Sequence, residues 1–145
     1  QYIGSAVPIK IIFGQTYRLL QQAKAALVTS GTATLETALF RVPQTVCYYT
    51  PVGKLISFLR RHILKVKYIS LVNLVANKEV VRELVADTMT VANVRSELNA
   101  LLNDETYRGQ MLKEYDRMIK ILGPAGASHQ AASKMIELLS VRKGK

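Results

Sequence analysis

Four residues in this chain of 145, Ser30, Gly31, Thr32 and Glu36, combine types and spacing that suit binding chemistry. They lie in the stretch AALVTSGTATLETALFRVPQTVCYY, Ala25 to Tyr49, where an apolar run stops at Thr29, passes through Ser-Gly-Thr and restarts as a helical pattern. The first N–H groups of a helix have no intrahelical partner and carry the positive end of its dipole, so such a junction can receive a phosphate. Gly31 lets backbone and ligand approach closely, and Ser30 and Thr32 offer hydroxyl donors. Glu36 follows Thr32 by four residues, one helical turn, and so points back toward the same crevice. A carboxylate beside a phosphate needs hydrogen-bond donors, and the ribose hydroxyls of a nucleotide supply them. The same residues also suit a capped helix with an acid in its first turns, and spacing alone leaves both roles open.

The elements that must position these residues follow from the hydrophobic pattern. PIKIIF reads as a strand, GQTYRLLQQAKA as a turn and helix, and AALVTS as a short apolar strand of the kind buried on both faces of a parallel sheet. ATLETALF is a helix broken at Pro43, and TVCYY is the next strand. This alternation predicts an α/β, Rossmann-like parallel sheet with helices on both faces, whose ligand crevice lies at the carboxyl ends of the strands. After Pro51 helical spacing dominates, apart from an extended or looped passage YISLVNLVA. Helices are expected over 53–65, 79–86, 91–102, 104–121 and 127–139, with Gly123-Pro124 a break before the last. The expected organisation is one lobe of a two-lobe protein, with a basic α/β part over 1–78 and a helical part over 79–145.

Charge divides the chain at the same place. Residues 1–78 hold ten Lys/Arg against one acid, Glu36, a net of +9, whereas residues 79–145 hold ten against nine, a net of +1. The first part therefore favours an anionic partner: a phosphate-bearing ligand, nucleic acid or an anionic membrane. The single cysteine, Cys47, falls in an apolar strand pattern, which excludes a disulfide framework and points to an inert buried thiol. His62 and His129 have no Cys or His partner at metal spacing, so no metal site is expected. The tyrosines do not interleave with basic residues as in a single-strand nucleic-acid platform.

GKLISFLRRHILKVK, residues 53–67, has the pattern of an interfacial helix. At about 100° per residue Leu55, Ile56, Leu59, Ile63 and Val66 share a face, with Lys54, Arg61 and Lys65 opposite and Arg60 and Lys67 at its edge. Arg60, Arg61 and Lys67 are accordingly the expected contacts to an anionic lipid surface. A plain amphipathic helix covering the sheet fits the same pattern.

ALVTSGTATLETALFRVPQTVCYY, followed by KVKYISLVNLVANKEVVRELV, resembles the carboxyl-terminal lobe of the lipid-A-disaccharide synthases, glycosyltransferases of two-lobed GT-B architecture. The resemblance is clear from about Ala25 to Leu84 and rests on the strings SGTATLE and YISLxNL. It implies transfer of 2,3-diacylglucosamine from UDP to 2,3-diacylglucosamine 1-phosphate, giving the lipid A disaccharide precursor. Carried over by motif, Ser30, Gly31 and Thr32 meet the diphosphate, Glu36 the ribose and Asn73 the donor crevice, while the catalytic base belongs to an amino-terminal lobe outside these residues. The resemblance further implies no cofactor beyond the UDP-sugar substrate, no nucleic-acid partner, and a cytoplasmic location at the inner face of the bacterial inner membrane, with a homodimer left open. The chain departs from the family in having Val72 where proline is usual and Asn77 where glycine is common; both changes keep the functional groups, and Asn77 tolerates a left-handed backbone. Another UDP-N-acetylglucosamine-using enzyme of the same architecture, and a non-enzymatic basic module for membrane or nucleic acid, are the alternatives.

Overall fold

The structure is a computed structural model that describes residues 9–29, 31–49, 67–123 and 126–142. Three short strands, β1 (Ala26–Val28), β2 (Gln44–Tyr48) and β3 (Glu83–Val85), form a parallel sheet in the order β1-β2-β3. Val28 pairs with Val46, and Val46 in turn with Glu83. Helices flank the sheet: α1 (Thr16–Leu20), α2 (Gly31–Leu39), α3 (Leu71–Ala76), α4 (Val91–Asn103), α5 (Glu105–Leu122) and α6 (Ala127–Arg142). This is the expected α/β, Rossmann-like arrangement followed by a helix-rich end.

β2 explains why the apolar run is continuous. Gln44 and Val46 point to one face and meet α2 and α5, while Thr45 and Cys47 point to the other, and all four are buried. Around Val46 the core gathers Ala38, Val72, Val81, Leu101, Met111, Tyr115 and Met118. Each large apolar side chain fully buried there contributes roughly 1.5–3 kcal/mol over exposure. Burial pushes the Tyr115 phenol up in pKa, and its ring wedges α5 against Gln44 and Val42.

Three expectations need correction. PIKIIF was expected to be a strand, but residues 9–13 lie outside any sheet, with Ile11 and Phe13 exposed. A strand exists through its ladder partners, and among the described residues none pairs with this segment. YISLVNLVA, expected extended or looped, contains α3. The Ser70 side chain caps it by accepting from Asn73 N at 3.2 Å, and Asn77 ends it in the left-handed conformation, φ 51°. The stretch expected to be helical over 79–86 instead carries β3 and a 3-10 turn, Ala86–Thr88. Val80, Val81, Leu84 and Val85 satisfy helical spacing, but Glu83, Leu84 and Val85 pair with β2, which buries Leu84 and Val85 as a third strand. The sheet thereby reaches past residue 78.

The later helices follow their capping signals. Thr90 caps α4 by accepting from Asn93 N at 3.1 Å, and Asp104 caps α5 by accepting from Tyr107 N at 2.9 Å. α5 ends at Gly123, φ 76°. Its acids reach back to the basic part of the chain, Asp116 to Arg41 and Glu114 to Lys78, fastening α5 beside α2 and α3. On α6, Met135, Ile136, Leu138 and Leu139 are exposed. Among the described residues no helix is long and apolar enough to cross a membrane.

Candidate functional site

The carboxyl end of β1 delivers the chain through Thr29 to α2, whose first residue is Gly31. Hydroxyls fasten the first turns of this helix to its own carbonyls: Thr34 Oγ1 donates to Gly31 O, and Thr37 Oγ1 donates to Ala33 O at 2.7 Å. A Cβ added at Gly31 would meet Tyr48 Oη at 3.7 Å and Ile69 O at 4.0 Å, both ordinary contacts. The protein's own packing therefore does not demand a glycine here. The missing Cβ leaves room beside Gly31, in the first turn of a helix whose leading N–H groups have no intrahelical partner.

Farther along α2, half-buried Glu36 lines a groove of ≈ 530 Å³ together with Gly14, Gln15, Thr16, Tyr17 and Arg18. Gly14, at φ +67°, turns the chain into α1, and the Tyr17 ring stacks on Phe40 of the α2–β2 connection at 5.3 Å. Among the described residues the Glu36 carboxylate has no hydrogen-bonding or ionic partner. Its position, about 7.5 Å of helical rise beyond Gly31, puts an acceptor for hydroxyl groups within one small ligand's length of the start of the helix. Arg18 adds a cation to the same groove.

Across from Gly31 stands a second polar cluster built quite differently. Glu83, on β3, accepts from Ile69 N at 3.0 Å, Ser70 N at 2.9 Å, Ser70 Oγ at 2.8 Å and Asn73 Nδ2 at 2.9 Å. Asn73 Nδ2 also donates to Val81 O at 2.8 Å, and Asn73 Oδ1 accepts from Val80 N at 2.7 Å and Val81 N at 2.9 Å. Every donor and acceptor of the fully buried Asn73 amide is thus used inside the fold. The start of α3 already holds a carboxylate, that of Glu83.

Of the residues singled out by sequence, Gly31, Thr32 and Glu36 share α2, with Thr32 exposed at its first turn. Asn73 lies on α3, packed beside α2, with its amide turned toward β3. Lys67 is exposed, its ammonium 5.1 Å from the ring centroid of Tyr68. Ser30, Arg60 and Arg61 lie outside the described residues, as does nearly all of the segment read as an interfacial helix. Sequence reasoning missed Glu83, whose placement depends on β3, and the groove residues Gly14 to Arg18. Among the described residues no three His, Cys, Asp or Glu side chains gather where a metal ion could be held.

The chain is similar to known proteins over nearly its whole length. The family model described as lipid-A-disaccharide synthetase matches residues 4–136. The lipid-A-disaccharide synthase of Psychromonas ingrahamii is 38% identical over 143 residues, covering 99% of this chain and 36% of that protein. That of Syntrophus aciditrophicus is 36% identical over 131 residues, 90% of this chain and 34% of the relative, and that of Pseudomonas putida strain F1 is 32% identical over 139 residues, 96% and 36%. The chain thus spans about a third of the length of these curated relatives. With the SGTATLE string running into α2, and the family match running through the sheet and the helices behind it, the chain belongs to the lipid-A-disaccharide synthetase family.

Proposed function

We propose that this chain is the donor-nucleotide-binding part of a glycosyltransferase that transfers 2,3-diacylglucosamine from UDP to 2,3-diacylglucosamine 1-phosphate. The observation that carries the reading is the start of α2, where a Cβ on Gly31 would meet only ordinary contacts and Glu36, farther along the helix, has no partner among the described residues. The diphosphate of UDP sits before Gly31 and Thr32, and the ribose hydroxyls donate to Glu36. In the reaction the bond between the sugar's anomeric carbon and the diphosphate oxygen breaks. An acceptor hydroxyl bonds to that carbon and passes its proton to a base supplied by the other lobe. Negative charge grows on the departing UDP, and the preorganised N–H groups and dipole of α2 offset it without rearrangement. Asn73 serves the crevice indirectly, by fixing α3 opposite Gly31. The excess of cations over residues 1–78, Arg60, Arg61 and Lys67 among them, holds the protein at an anionic membrane surface where lipid substrates reside.

Calorimetric titration with UDP tests the reading: the full-length protein binds UDP in preference to CDP or ADP. Glu36→Ala weakens UDP about tenfold to a hundredfold while leaving pyrophosphate unchanged. Equal losses for both ligands would remove Glu36 from the ribose. Substituting Arg60, Arg61 and Lys67 by Gln lowers binding to anionic vesicles by up to about 3 kcal/mol at low salt, with no change in UDP affinity.

A further inference from the structure

The string YISLVNL offers three polar side chains, and two of them, Ser70 and Asn73, have no exposed surface with which to touch a ligand. What both touch is one carboxylate. Glu83 Oε1 accepts from Ser70 N at 2.9 Å, Ser70 Oγ at 2.8 Å and Asn73 Nδ2 at 2.9 Å, and Ile69 N is shared between Oε1 at 3.1 Å and Oε2 at 3.0 Å. Hydrogen bonds to an ionised acceptor are about twice as strong as neutral ones, so this is the firmest attachment of the segment.

Capping α3 does not require it. Ser70 already caps that helix with its own hydroxyl, which accepts from Asn73 N at 3.2 Å. What the carboxylate adds is a fixed position relative to the sheet: Glu83 begins β3, and its backbone is held where it pairs with Val46 of β2. Sheet, carboxylate and turn make one chain of contacts that ends at Ile69, whose carbonyl oxygen lies 4.0 Å from where a Cβ on Gly31 would be. The segment held by Glu83 is thus a wall beside the SGTATLE string.

We propose that Glu83 is a positioning residue of the transferase: it acts through Ile69, Ser70 and Asn73, holding that wall at the distance from Gly31 that the donor sugar nucleotide requires. The proposal rests on the reading of this crevice as the donor site and explains how two buried residues of the string serve it. Charge matters here as well as shape. In Glu83→Gln the carbonyl oxygen still serves Ser70 and Asn73, but the amide NH2 faces Ile69 N, donor against donor, which displaces the end of the segment nearest Gly31.

Glu83→Gln and Ser70→Ala in the full-length protein, assayed with UDP-2,3-diacylglucosamine and 2,3-diacylglucosamine 1-phosphate, test the proposal. Thr90→Ala, which removes the cap of α4 and lowers stability elsewhere, is run beside them. Glu83→Gln lowers kcat per folded molecule about tenfold to a hundredfold, the size of effect a misplacement of about 1 Å produces, and Ser70→Ala lowers it less, both with the acceptor KM unchanged. Thr90→Ala keeps the wild-type kcat. Wild-type kcat per folded molecule in Glu83→Gln, or in Ser70→Ala should the first variant fail to fold, would overturn the proposal and leave Glu83 a purely structural residue. An equal fall in Thr90→Ala would also overturn it, by making lost stability the cause. A wild-type protein that forms no disaccharide would instead overturn the underlying reading of the site, which separates the two failures.

Discussion

Two helix starts face each other at the carboxyl end of the sheet, and they are finished in opposite ways. At α3 the chain supplies its own anion: Glu83 takes hydrogen bonds from Ile69, Ser70 and Asn73, and Asn73 spends its whole amide on β3. At α2 the hydroxyls of Thr34 and Thr37 donate to carbonyls of their own helix, and no carboxylate of the described residues is spent on its start as Glu83 is on that of α3. Glu36, farther along the same helix, is without a partner among the described residues. A saturated cluster fixes geometry, whereas an unsaturated one keeps hydrogen-bonding capacity for a ligand, as proposed for α2. The contrast teaches that polarity and motif membership do not by themselves identify a binding residue; the state of its hydrogen bonds does.

The sharpest way to break this contrast is Glu83→Ala. It strips the acceptor from four donors at the start of α3 and should cost about 3 kcal/mol of folding stability, measured by chemical denaturation. Asn73→Ala leaves Val80 N and Val81 N without their acceptor and should cost about 2 kcal/mol, with turnover per folded molecule falling as α3 shifts. Both belong to the saturated cluster, so stability is what they move first. Glu36→Ala belongs to the other cluster, and its unfolding free energy should stay within about 0.5 kcal/mol of wild type while UDP affinity drops. If Glu36→Ala destabilised the fold as much as Asn73→Ala, the distinction between the clusters would collapse.

A smaller effect sharpens the comparison from behind the site. The Lys78 ammonium, through its hydrogen bond, is the main cause that holds the Glu114 carboxyl below its usual range. A carboxyl with a depressed folded pKa adds stability above its unfolded value, near 4.5, and that stability is lost as pH falls through the folded value. Lys78→Met should therefore be less stable than wild type at pH 7, within about 1 kcal/mol, and the difference should vanish at strongly acid pH. Denaturation series at several pH values check both the sign and the window.

Much of this was legible in the residues. The continuous apolar runs around Val28 and Val46 specify parallel strands, but only β2 is buried on both faces as expected of both, since Leu27 of β1 is exposed; the helix after β1 was also legible and begins at Gly31. Asn77 was readable as a residue that tolerates a left-handed backbone, which it adopts at φ 51°. β3 was not, because Val80, Val81, Leu84 and Val85 fit a helical face as well as a strand, and only pairing with β2 decides between them. Glu83 was hidden for the same reason: an acid in an apparent helix looks solvated until the strand brings it to Ser70. The α3 helix was obscured by its β-branched residues, since tertiary burial of Val72 and the Ser70 cap outweigh local propensity. Val72 also shows why proline is dispensable at that position: its side chain is fully buried in the core, which fixes the backbone by packing instead.

The central claim is that the space before α2 belongs to a diphosphate and not to the protein. Gly31→Ala tests it most directly, because the added Cβ meets no described protein atom closer than 3.7 Å and a helical alanine is, if anything, favourable. Titrating UDP into the wild-type and Gly31→Ala full-length proteins, with melting curves alongside, should give an unchanged or slightly raised melting temperature and a UDP affinity at least about tenfold weaker. A variant that binds UDP as tightly as the wild type would contradict the account.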